Sequence, residues 1–66
     1  MPFTLYNCRS DLSKCLDDLI SKRAFLISKL SADLDYSESS TIVDDCLYYV
    51  LDAFVAVSEL LDLLSE

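Results

Sequence analysis

The 66 residues comprise 12 acids, 5 bases, no histidine and no glycine, with a formal net charge of −7. A chain this short folds as one domain at most, and its core supplies only about 3 to 5 kcal/mol, so a disulfide, a metal or self-association is expected to help. Without histidine it lacks the commonest acid–base group and a favoured zinc ligand, and without glycine it lacks phosphate-cradling loops. No enzyme, cofactor or metal site is therefore expected.

Residues 1–6 carry neither a basic cluster nor a long apolar run, so no secretory leader is expected there. Three cysteines, Cys8, Cys15 and Cys46, leave one thiol odd. Cys8 and Cys15 stand two helical turns apart, roughly 10 Å, too far for a disulfide, and the pattern points to a reducing, cytoplasmic setting.

The first helix is predicted over about 8–33, capped by Asn7 or Ser10. Leu12, Leu16, Leu19, Leu26 and Leu30 recur at helical spacing, with Ile20 and Ile27 on the same side. Arg23 interrupts this stripe. Its stem is expected against apolar neighbours and its guanidinium at Asp52, the Tyr49 hydroxyl or a carboxylate of a second chain. There it would act as a specificity element fixing orientation rather than adding stability. Phe25 falls on the polar face near Asp18, Lys22 and Lys29. Contact with a protein neighbour suits it better than stacking on a base, because two or three lysines on so acidic a chain attract nucleic acid weakly.

Residues 34–40, rich in serine, read as the turn, with Ser39, Ser40 or Thr41 capping a second helix over about 41–64. Its apolar stripe is Val43, Leu47, Val50, Phe54, Val57, Leu61 and Leu64. Folding the two helices together predicts an antiparallel hairpin with Leu30 beside Val43, Leu19 beside Phe54 and Leu12 beside Leu61. Asp52 and Glu59 interrupt the apolar run, and a charge at the centre of a membrane span costs about 2.5 to 3.5 kcal/mol, so a membrane helix is not expected.

The second helix holds more apolar surface than one neighbour covers. Cys46, Tyr49, Ala53, Ala56, Leu60 and Leu63 form a further row, about a quarter turn or more from the first. The expected outcome is an all-α fold in which two hairpins pair as a homodimeric four-helix bundle, with Tyr49, Ala53, Ala56, Leu60 and Leu63 at the interface.

Charge is divided unequally along the chain. Through Asp33 there are five bases and four acids; from Leu34 onward there are eight acids and no base. Asp45, Asp52, Glu59 and Glu66 recur every seven residues as a line that drifts about 20° per step. Tyr48 and Val55 lie among them. Two readings stand: the line is a solvated face that keeps a very apolar helix in water, or it docks on a protein with a basic surface, with Tyr48, Asp45, Asp52, Val55, Glu59 and Phe25 as candidate contacts.

The function expected from these features is a small protein-binding regulator or inhibitor acting by occupancy. A chaperone or adaptor for a helical client is the alternative. In size and helix layout the chain resembles plasmid RNA regulators of the Rop type, type III secretion needle chaperones and phage-encoded inhibitors of host factors. The stretch Leu51-Asp52-Ala53-Phe54-Val55-Ala56-Val57 is similar to the second helix of the needle chaperones. The Rop-type resemblance implies RNA binding by a helical hairpin as a third possibility.

Overall fold

The computed structural model describes residues 4–65. They form three helices, α1 (Leu5–Ser21), α2 (Arg23–Leu30) and α3 (Tyr36–Leu64), with no strand among the described residues. The all-α expectation holds, but with three helices instead of two.

The predicted first helix is divided at Lys22, whose dihedrals (φ −99°, ψ 5°) leave the helical range. Neither glycine nor proline is involved. At the break the Ser21 hydroxyl donates back to the Asp18 carbonyl at 3.1 Å, a kind of contact that often accompanies helix bends. The break is shallow, since Lys22 N–H still reaches Asp18 O and Leu26 N–H reaches Lys22 O, both at 2.9 Å. Thr4, not Asn7 or Ser10, caps α1, accepting from the Asn7 N–H at 3.0 Å.

The turn comes earlier than the serine-rich composition suggests. Asp35 caps α3, its carboxylate accepting from the Glu38 N–H at 2.7 Å. An acid three residues after the cap is the spacing of a capping box. The serines predicted as caps fall inside the first turns instead. Ser40 and Thr41 donate back to the Ser37 carbonyl, and Ser39 donates to the Asp35 carbonyl at 2.8 Å. Ser39 is fully buried and also accepts from the Ser31 hydroxyl at 3.1 Å, which ties the two sides of the turn together.

Because the chain reverses over residues 31–35, α3 packs against α1 and α2 in a shifted register. Arg23 lies opposite Asp44, six residues before Val50, the position that the predicted pairings of Leu30 with Val43 and Leu19 with Phe54 would set beside it. The inward stripe is otherwise the predicted one. Ile27, Val43 and Leu61 are buried; Leu12, Leu16, Leu19, Leu26, Leu30, Leu47, Val50, Phe54 and Val57 are half-buried. Ile20 and Leu64, both assigned to that stripe, are exposed.

The molecule measures 47 × 22 × 16 Å, two helices wide and one helix thick. Such a slab has two broad faces. Residues flanking the line of helix contact lie on one face or the other, which is why so few side chains are fully buried.

Candidate docking faces

On one broad face a groove of about 480 Å³ runs between α1 and α3, lined by Leu16, Ile20, Arg23, Asp44, Leu47, Tyr48 and Leu51. Its walls are aliphatic, and Tyr48 (65% exposed) and Ile20 (58% exposed) stand at its lip. One end is closed by an ion pair. Arg23 donates from Nε to Asp44 Oδ1 at 2.7 Å and from Nη2 to Oδ2 at 3.0 Å, the two-pronged geometry of a strong guanidinium–carboxylate pair. The expected partners Asp52 and Tyr49 are not used, because the earlier turn moves α3 along α1.

The Arg23 hydrogen bonds hold the Asp44 carboxyl below the usual carboxylate range, against a smaller upward push from partial burial. Asp44 in turn raises the guanidinium pKa, with a lesser contribution from Tyr36. A carboxyl whose pKa is lowered by folding stabilises the fold above its unfolded pKa, about 4, and loses that contribution as pH falls through the folded value. Helicity measured against pH is expected to separate wild type from Asp44→Asn near neutrality. The two curves should converge only once pH has fallen through the lowered folded value of Asp44, where both lack the charged pair.

The acids Asp45, Asp52 and Glu59 are exposed. At 100° per residue they follow the outer side of α3, between the Tyr48–Val55 row and the Tyr49–Ala56 row. Glu66 lies outside the described residues. Val55 is exposed two turns beyond Tyr48 on the groove side. Phe25 does not join them. It stands exposed on the outer side of α2, with Lys29 Nζ 5.3 Å from its ring centroid, so a lysine already covers the ring face a base would need.

The opposite broad face is a single row along α3. Tyr49 (76% exposed), Ala56, Leu60 and Leu63 are exposed and Ala53 is half-buried; Cys46 is an exposed free thiol. Ile42, also exposed, extends the row by one turn. Ile42, Cys46, Tyr49, Ala53, Ala56, Leu60 and Leu63 then succeed one another in strict steps of four and three, the spacing of a coiled-coil seam.

Comparison with known proteins gives no relative: no family model, curated protein or solved structure matches the chain.

Among the described residues no cluster of three or more potential metal ligands occurs, and no helix is long and apolar enough to cross a membrane. Sequence reasoning missed three elements of the two faces: the Asp44 partner, the groove walls Leu16, Ile20, Leu47 and Leu51, and Ile42. Ile42 already lay inside the predicted helix, one step of four before Cys46; the first two follow from the start of α3. The Asp35–Glu38 spacing carried that signal, and the serines that follow obscured it.

Proposed function

We propose that this chain is a small acidic protein-binding regulator that acts by occupying a partner's surface. In this reading it works as a helical hairpin paired with a second copy in a four-helix bundle, and it performs no catalysis. The observation that carries the reading is the groove face. Tyr48, Ile20 and Leu51 present apolar surface around a preformed groove, and carboxylates on the outer side of α3 stand beside it. Interfaces draw most of their energy from such an aromatic anchor in a desolvated site, while neighbouring charges steer and select. The partner suited to it presents an apolar ridge flanked by lysine or arginine. Free thiols at Cys8, Cys15 and Cys46 support a cytoplasmic setting.

The test is quantitative affinity capture from host cells with the wild-type chain, Tyr48→Ala, and the single changes Asp45→Asn, Asp52→Asn and Glu59→Gln. A specific partner should be lost with Tyr48→Ala, its affinity falling by about 2 kcal/mol or more. Each acid-to-amide change should cost no more than about 1 kcal/mol, as for exposed ion pairs. Equal capture by all variants would reduce the acids and Tyr48 to a solubilising surface. Recovery of a complex holding one copy of this chain and one helical client, in place of the dimer, would favour the chaperone reading.

A further inference from the structure

We infer that the second copy docks on the seam face in parallel, with Cys46 opposite Cys46, so that the dimer displays two identical grooves on its opposite outer sides. The inference rests on the dimeric reading above and adds the orientation, which follows from spacing and charge.

Ile42 to Leu63 keep the alternation of four and three over six steps, the pattern that lets one helix pack along another of its kind. Ala53 and Ala56 at its centre permit close approach. At 1.5 Å per residue the row from Ile42 to Leu63 runs about 30 Å along α3, three heptads of continuous seam.

Charge selects the direction. The seam is bordered on its outer side by Glu38, Asp45, Asp52 and Glu59, and on its inner side by the flank of α1 and α2. Arg23 faces Asp44, so one residue back on the α1–α2 arm and one forward on α3 gives Lys22 level with Asp45. Seven residues further each way, Lys29 is level with Glu38. Lys22, rotated 100° from Arg23, lies on the flank away from the groove, and Lys29 follows two turns later. A two-fold axis parallel to the helices brings the outer border of one copy against the inner border of the other at the same height. Glu38 and Asp45 then meet the partner's Lys29 and Lys22, four pairs per dimer. Asp11 and Asp18 share that inner border and oppose the Asp52–Glu59 end, which partly offsets the gain. An axis perpendicular to the helices sets the acid borders of both copies against each other along their whole length, with no base between them.

In the parallel arrangement Cys46, Ala53 and Leu60 face their own copies across the axis. At an interaxial distance of about 8 to 10 Å, facing Cα atoms come within the roughly 4.4 to 6.8 Å that a disulfide spans. In an antiparallel pairing centred on Ala53, Cys46 faces Leu60 and the two thiols lie roughly 20 Å apart.

The experiment uses the full chain with Cys8→Ser and Cys15→Ser, leaving Cys46 alone. Diamide, taking two electrons and two protons per bond, should convert it to a disulfide dimer as completely as it does the wild type. Sedimentation before oxidation should already show a dimer. Lys22→Glu with Lys29→Glu should weaken the dimer about tenfold, and adding Glu38→Lys with Asp45→Lys should restore it. A dimer that sediments normally yet does not cross-link through Cys46 overturns the parallel orientation and leaves the dimeric reading standing. A monomer at tens of micromolar overturns both.

Discussion

Replacing Leu61 by alanine is expected to unfold most of the chain. Among the described residues Leu61 is one of three buried apolar side chains, with Ile27 and Val43, and it lies near the end of the slab away from the turn. Truncating a buried leucine to alanine costs about 2 to 5 kcal/mol, and a domain of this size has about 3 to 5 kcal/mol to lose. Leu63, two residues on and 66% exposed on the seam face, supplies the control. Leu63→Ala should keep its far-ultraviolet helicity and weaken only self-association. Thermal unfolding by circular dichroism separates the two. A Leu61→Ala chain that melts as cooperatively as wild type and within a few degrees of it would mean that Leu61 is not part of the core.

The contrast between Leu61 and Leu63 marks what was readable in the sequence and what was not. Helical spacing alone separates them, because an α-helix repeats every 3.6 residues and apolar side chains on one side must find a common neighbour. The inward stripe from Val43 to Leu61 and the surplus row from Cys46 to Leu63 were therefore both legible. The register was not. It depends on which of several adjacent polar residues caps α3, and Asp35, Ser39, Ser40 and Thr41 are chemically similar candidates. Moving the cap from the 39–41 segment to Asp35 slid α3 along α1 by more than a turn and exchanged Asp52 for Asp44 as the partner of Arg23. The break at Lys22 was equally hidden. A serine hydroxyl returning to the carbonyl three residues earlier does not by itself mark a break, since Ser40 makes the same contact to Ser37 inside the unbroken α3.

The second large effect concerns the seam. Ala53→Glu is expected to convert the proposed dimer to a monomer that keeps its helices. Ala53 sits at the centre of the row from Ile42 to Leu63 and is half-buried in the single chain. In the paired state each copy would bring a carboxylate against its own counterpart in an apolar interface. An uncompensated charge buried in this way costs about 3 to 5 kcal/mol, which weakens association by about 100-fold or more. Within the monomer the cost is small, since glutamate forms helix well and its carboxylate reaches water along the open face. Association stabilises only the folded state, so the wild-type melting temperature should rise with protein concentration while that of Ala53→Glu should not. Val55→Glu, on the groove side of α3, should leave this dependence intact and act only on partner docking. If Ala53→Glu sediments as wild type and its melting temperature still rises with concentration, the row from Ile42 to Leu63 is not where two copies meet.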